Sequence, residues 1–307
     1  MLVCINWKVR IWMIEVLKPG FYSTIQDLGR LGYREFGVPI SGAMDRFSAK
    51  MANRLLGNDL NDAVLEVTLT GPGLQFNCST LICITGANIN PNVNKEPVHL
   101  NHRISMNSGD ILTFGKLESG YRTYIAVRGG FLTPLVMNSR SMYPNITSSS
   151  KLTTHDLLHI NEDIDASDRS YASIKLKSDH FENVNLGAFK GPEFESLPAK
   201  LQVELESRMY TVSKNNNRMG YQFVETLKNT IPSILTGPVL PGTVQLTPSG
   251  NLIVLMRDGQ ISGGYPRILQ LTEEAINVLA QKKVGDPVRF QVKTHGTFAN
   301  GNRKIES

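Results

Sequence analysis

Between Ser23 and Asp45 the chain sets Asp27, Arg30, Arg34 and Asp45 among glycines 29, 32, 37 and 42. Glycine tolerates positive φ and lets backbone approach a ligand closely. Two carboxylates and two guanidinium groups beside such backbone are what a polar small-molecule site needs: cations for anionic groups, carboxylates for proton handling. The same segment ends in Ser41-Gly-Ala-Met-Asp45, at the mouth of an expected helix. Free N–H groups and the positive dipole end favour a carboxylate there. Asp45 is thus either a helix cap or part of a ligand site, and residue types alone leave both open.

Three further clusters lie in the second half. "NNNRMGYQF" sets Arg218 before Met219-Gly220, and "PGTVQLTPSG" projects Gln245 from a strand introduced by a Pro-Gly turn. "DGQISGGYPRI" places Gly263-Gly264 ahead of Tyr265. A glycine pair inside a strand pattern marks a bulge or the close approach of a ligand. Each cluster alone reads equally as a hairpin turn; together, each with one placed polar group, they point to a shared pocket. Several other devices are absent from the sequence. It has no GxxxxGK[ST] phosphate cradle, no HExxH and no GxSxG. His99/His102 and His155/His159 lack a matching acidic or cysteine ligand, so no metal site is expected.

The elements that must position these residues are mostly strands. "TLICIT", "DILTFG", "TYIAVRG", "NLIVLM" and "VRFQVK" are β-branched and aromatic runs bounded by Gly, Asn, Pro and Asp. Three helices are expected: one after Asp45 with Met44, Phe47, Met51, Leu55 and Leu56 at helical spacing, one near Ala199–Arg208, and one in "TEEAINVLAQKK" capped by Thr272. The chain has 307 residues, 41% hydrophobic and 19% charged, enough for two packed domains. Its +5 charge is scattered without a basic run, which argues against a nucleic-acid stripe. Three cysteines at irregular spacing form no disulfide framework and suit a reducing compartment. No uncharged stretch is long enough for a membrane span or export signal, so cytoplasm is expected. The expected division is a leader at 1–12, a first β domain at 13–167, a second at 168–295 and a tail at 296–307.

In order along the chain stand "TIQDLGRLGY", "GVPISGAMD", "ANRLLGN", "LEVTLTGPGLQF", "SRSMY", "RMGY", "PGTVQLTPSG", "GGYPRI" and "LAQKKVGDPVRF". Together they resemble the biotin-dependent carboxyltransferase family over roughly Ile14 to Val292. Members include the C subunit of bacterial ATP-dependent 5-oxoprolinase, to which the resemblance is strongest, the Kip antagonist, and the second carboxyltransferase half of urea carboxylase. The sequence departs from the family pattern at Ile261-Ser262, at "PNITSSS" and at Asn216-Asn217.

The resemblance implies a mainly β fold of two cyclophilin-like β-barrel domains. It also implies two partners: a sister protein similar to the Kip inhibitor, which is the B subunit of 5-oxoprolinase, and a third protein, its A subunit. The activity implied is ATP-dependent hydrolysis of 5-oxo-L-proline to L-glutamate, with ATP held largely by the partner or at the interface. No covalently attached biotin is implied, since Lys50 in "AKM" lies within a helix pattern. On this resemblance Asp27 and Asp45 are the catalytic carboxylates, and Arg30 and Arg218 take anionic groups. Ser41 and Gln245 supply neutral hydrogen bonds, and Gly42, Asn53, Gly220, Gly263, Gly264 and Tyr265 complete the substrate-binding set. Two alternatives remain: carboxyl transfer from carboxybiotin to urea or a similar amide, and a non-enzymatic antagonist that binds a Kip-inhibitor-like protein.

Overall fold

The computed structural model describes residues 12–161 and 179–293. The expected domain boundary near Ser167, nearly all of the leader and the tail lie outside the described residues. The chain divides into two units. The first holds residues up to Asn183, Arg257–Gly259 and Ala280–Lys283; the second holds Val184–Met256, Gln260–Leu279 and the residues from Val284.

The strands of the first unit are β1 (Met13–Lys18), β2 (Tyr22–Gln26), β3 (Val64–Thr68), β4 (Gly73–Phe76), β5 (Thr80–Asn88), β6 (Pro91–Val93), β7 (Glu96–Pro97), β8 (Arg103–Met106), β9 (Ile111–Phe114), β10 (Ser119–Val127) and β11 (Leu157–His159). They form two sheets, ordered β11-β1-β4-β9-β6-β7 and β2-β3-β10-β5-β8. Alternation along each strand explains the packing. Leu65 and Val67, Ile82 and Ile84, Ile125 and Val127 face Ile14, Val16, Leu74 and Phe76 in one core shared by both sheets. The other face of β3, β5 and β10 presents Val64, Leu81, Cys83, Tyr124 and Ala126 to helix α1 (Arg46–Leu56). Ala49 and Ala52 on the buried face of α1 are small enough to let it lie close to that sheet. The expected apolar stripe is therefore corrected at Phe47, which is 40% exposed because the buried face runs through Ser48, Ala49, Ala52, Leu55 and Leu56. Gly57, at φ 76°, ends the helix in the left-handed conformation that glycine adopts without strain.

The second unit contains a closed seven-strand barrel. Its strands are β12 (Asn185–Lys190), β13 (Tyr210–Asn216), β14 (Gly220–Thr226), β16 (Thr243–Leu246), β17 (Asn251–Leu255), β19 (Arg267–Leu271) and β20 (Pro287–Val292), in the order β12-β19-β16-β17-β14-β13-β20. Two short strands, β15 (Gly237–Pro238) and β18 (Ser262–Gly263), pair beside it. Tyr210, Phe223 and Phe290 pack ring to ring at 5.4–5.8 Å. Helices α2 (Ala199–Ser207) and α3 (Glu273–Ala280) form as expected, and the Thr272 hydroxyl accepts from Ala275 N–H at 3.2 Å. The helix ends at Ala280, before the Lys282-Lys283 that close the expected helical run; Lys282 is buried and its Nζ donates to Phe181 O at 2.7 Å.

Candidate functional site

In the first unit, residues 27–30 and 40–43 lie backbone to backbone. Arg30 N–H donates to Ile40 O at 2.7 Å and Ala43 N–H to Asp27 O at 2.8 Å. A Cβ on Gly42 would sit 2.7 Å from Gly29 N, and one on Gly29 would sit 2.5 Å from Ile40 O. These glycines serve chain-to-chain approach as well as their φ values of 88° and 97°. Ser41, between them in the crossing, takes φ 57°, and its N–H donates to Arg257 O at 2.9 Å. Its hydroxyl is buried with no hydrogen-bond partner.

Both carboxylates expected to be catalytic are saturated with donors. Asp27 Oδ1 accepts from Gly29 N–H at 2.7 Å, Ser139 Oγ at 2.7 Å and Ser141 Oγ at 2.6 Å, while Oδ2 accepts from Arg140 N–H at 2.6 Å. The "SRSMY" motif is thus the socket of Asp27. Asp45 is fully buried and caps α1: Oδ1 accepts from Ser48 N–H at 3.1 Å, and Oδ2 from Ser48 Oγ at 2.6 Å and Gln281 Nε2 at 2.8 Å. Gln281 Oε1 is itself occupied by Tyr121 N–H and Arg122 N–H, each at 2.9 Å. Below this cap, Glu66 Oε2 accepts from Met44 N–H at 2.7 Å and Tyr124 OH at 2.9 Å, and Asp45 N–H donates to Tyr124 OH at 2.8 Å. Burial first, then the charges of Glu66 and Asp45, push the Tyr124 phenol well above its usual range. Sequence reasoning singled out neither Glu66 nor Gln281, because one lies in a strand and the other just past a helix, 236 residues from Asp45.

Arg30 is the largest fully buried side chain of the crossing. Its Nη2 donates to Ser141 O, while Nε and Nη1 are buried without hydrogen-bond partners. Burial lowers the pKa of this guanidinium, and the negative charges of Asp27 and Asp258 work against that. Tyr143, half-buried, lies in the electrostatic reach of both Arg30 and Asp258. Tyr143 and Asp258 end and begin motifs visible in the sequence, yet only the fold sets them beside Arg30. Asn53 stands apart: its amide donates to Asp62 O at 2.8 Å and accepts from Asn58 Nδ2 at 3.0 Å, so it secures the loop after α1.

In the second unit the structure gathers Gln245, Gly263 and Tyr265. Gln245 is 1% exposed, in a strand buried on both faces. A Cβ on Gly263 would meet Gln245 Nε2 at 2.4 Å and Gln260 Nε2 at 2.9 Å, so this glycine makes room for two side-chain amides. Gln245 Nε2 reaches Tyr265 O at 3.5 Å. Gly264 O accepts from Ile234 N–H at 3.0 Å. Gln260 also lines a cavity of about 430 Å³ with Lys214, Asn216, Gly220, Gln222 and Ile253. Arg218 is 6% exposed, in the turn where Asn217 Oδ1 accepts from Met219 N–H at 2.7 Å.

Residues 36–292 match the carboxyltransferase domain, subdomain A and B. The chain is 33% identical to the C subunit of 5-oxoprolinase from Haemophilus influenzae, over 96% of each chain. The chain belongs to this carboxyltransferase family. It is likewise 33% identical to the corresponding 5-oxoprolinase C subunit of Escherichia coli, over 91% of this chain and 90% of that one. Among solved structures, the urea amidolyase of K. lactis superposes with a TM-score of 0.82 at 25% identity, covering 95% of this chain and 19% of that one. A carboxyltransferase fold, strand-rich with short helices, is therefore what the two units build. Among the described residues no group of His, Cys, Asp and Glu could hold a metal ion, and no helix is long and apolar enough to cross a membrane.

Proposed function

We propose that this carboxyltransferase-family chain is the C subunit of an ATP-dependent 5-oxoprolinase, which hydrolyses 5-oxo-L-proline to L-glutamate with its partner proteins. The observation that carries this reading is Arg30, whose fully buried guanidinium holds two nitrogens without hydrogen-bond partners, in the same crossing as the unpartnered Ser41 hydroxyl. A buried donor left unpaired costs about 1–3 kcal/mol. An anionic group or water reaching that site recovers the loss. The near full-length likeness to two proteins named as the C subunit of 5-oxoprolinase supports the choice of substrate.

A lactam is a resonance-stabilised amide that water attacks slowly at neutral pH. ATP activates it by phosphorylating the amide oxygen, and water then attacks the resulting imidate. Such chemistry needs cations for the phosphate and the substrate carboxylate. Arg30 takes that role in the first unit, where the Ser41 hydroxyl adds a neutral hydrogen bond and the close backbone at Gly42 shapes the contact. The sequence has no P-loop, so ATP is held largely by the partner or at the subunit interface; the partners are the Kip-inhibitor-like B subunit and the A subunit, in the cytoplasm.

A second reading is carboxyl transfer to urea or a similar amide, favoured by 44% identity over 130 residues to the urea amidolyase of Lachancea kluyveri. Purifying the chain with the two partner proteins and measuring ATP hydrolysis decides between them. Hydrolysis stimulated by 5-oxoproline supports the first reading. Hydrolysis that needs urea and a biotinylated carrier, with no response to 5-oxoproline, refutes it.

A further inference from the structure

The chemistry proposed above calls for two cations, and Arg30 is sealed in the crossing. A second guanidinium of the first unit opens onto free space. Arg140 lines a cavity of about 170 Å³ together with Thr133, Val136, Met142, Asp156 and Leu158. Drug-sized ligands occupy ~300–1,000 Å³, so this cavity suits one small molecule. A tight hairpin places Arg140: Val136 and Ser139 exchange N–H···O bonds at 2.9 and 3.2 Å, with Met137 and Asn138 between them at φ 54° and 58°. The Arg140 N–H donates to Asp27 Oδ2 at 2.6 Å, so the crossing and the cavity share this residue. Its Nη1 donates to Thr133 O, while Nε and Nη2 have no hydrogen-bond partner among the described residues. Asp62 lies within reach of its charge but forms no ion pair with it. Asp156 is fixed by Thr153, whose N–H reaches Oδ2 at 2.7 Å and whose hydroxyl reaches Oδ1 at 2.8 Å. A carboxylate accepts about four bonds, so each Asp156 oxygen keeps a lone pair. Arg140 and Asp156 thus line one cavity without pairing with each other.

We propose that this cavity is the 5-oxoproline subsite of the chain: Arg140 takes the substrate carboxylate and Asp156 accepts the lactam N–H. The assignment rests on the 5-oxoprolinase reading. The substrate is a five-membered lactam with one carboxylate, one N–H donor, a carbonyl acceptor and two ring CH₂ groups. Each has a counterpart on the lining. The Nε and Nη2 edge of Arg140 offers two parallel N–H donors, the fork that matches a carboxylate. The bond from Nη1 to Thr133 O holds that edge in place. The remaining lone pairs of Asp156 accept the lactam N–H. The Thr133 hydroxyl, buried with no hydrogen-bond partner, donates to the lactam oxygen. Met142 and Leu158, both buried, back the ring methylenes. The same pair suits the product. Once the ring has opened, the nitrogen is an ammonium that Asp156 holds as an ion pair, and Arg140 keeps the neighbouring carboxylate.

The test uses the complex of this chain with its two partner proteins, assayed for 5-oxoproline-dependent ATP hydrolysis and glutamate release. Arg140→Gln is expected to raise KM for 5-oxoproline about 10–100-fold, the loss of a charged hydrogen-bonding pair, with kcat within about threefold of wild type. Inhibition by 2-pyrrolidinone, the same lactam without the carboxylate, should be unchanged in this variant; a merely structural role for Arg140 would weaken both. Ser149→Trp, at an exposed position of the same lining, should raise KM by filling the cavity. A folded Arg140→Gln whose KM stays within about threefold of wild type overturns the assignment and leaves the functional reading standing. If Arg140→Gln does not fold, Ser149→Trp decides alone, and an unchanged KM overturns the subsite. A wild-type complex that does not respond to 5-oxoproline refutes the functional reading, and this assignment falls with it.

Discussion

Asp45→Asn tests whether the carboxylate at the head of α1 is a simple cap. At an ordinary cap the exchange is close to neutral, because asparagine caps about as well as aspartate. Here the surroundings forbid that. Oδ1 takes the Ser48 N–H, and an amide oxygen replaces it without loss. Oδ2 takes the Ser48 hydroxyl at 2.6 Å and Gln281 Nε2 at 2.8 Å, and the amide places an NH₂ group against both. The serine hydroxyl can rotate to accept. Gln281 cannot flip, because its Oε1 is held by two backbone N–H groups. One charge-assisted bond, worth about 1.5–3 kcal/mol, is lost, and two donors are left facing each other in a site that excludes water. The expected cost is about 2–4 kcal/mol. Asp45→Ala should cost about the same, combining a lost cap of about 0.5–2 kcal/mol with an unanswered Gln281 donor. Urea unfolding followed by tryptophan fluorescence and circular dichroism measures both. A double-mutant cycle with Gln281→Leu should show strong coupling, with Asp45→Asn far milder in the Gln281→Leu background. Turnover per folded complex should stay within a few-fold. Asp45→Asn with unchanged stability and a hundredfold loss of turnover would refute the scaffold role and restore Asp45 to the chemistry.

Asp27→Asn should destabilise the first unit by about 2–4 kcal/mol, since one oxygen cannot accept from the donors now shared by two; urea unfolding within 0.5 kcal/mol of wild type, roughly the noise of a surface change, would contradict this. Gly263→Ala should cost about 1–3 kcal/mol, because its Cβ would overlap Gln245 Nε2 at 2.4 Å. Adding Gln245→Ala should relieve that cost, and additive losses would show that the clash is not the cause. Glu193 is held below its ordinary value of 4.5 by the hydrogen bonds it accepts from Arg267. A depressed carboxylate contributes stability that is full above its unfolded value and is lost as pH falls through its folded value. The stability–pH curve of Arg267→Met should therefore be flatter than wild type below about pH 4.5 and parallel to it above. Equal slopes in both proteins below that pH would exclude the pair as a source of acid sensitivity.

Much of this protein was legible before any coordinates. Period-two runs of Val, Ile, Leu and Phe between Gly and Asn turns specify strands, because successive side chains on a strand must face opposite sides. The helix from Arg46 to Leu56 follows from Asp45 at its start and Gly57 at its end, both local rules of backbone chemistry. Motif order pointed to the carboxyltransferase family, and the density of Asp and Arg around Gly29 and Gly42 marked the crossing. Local sequence could not say which polar group does what, because that depends on which donors arrive from elsewhere. Asp27 and Asp45 look alike as carboxylates in a glycine-rich loop; only the fold brings Ser139 and Ser141 to the one and Gln281 to the other as hydrogen-bond donors. Gln245 and Gly263 stand in separate motifs, and only the fold buries the one against the other. Asp258 and Tyr143 are 115 positions apart in the numbering and ordinary in type, and only the closure of the fold brings both to Arg30. Hydrogen-bond saturation, desolvation and the field of neighbouring charges are properties of three-dimensional surroundings, and no local stretch of this chain displays them.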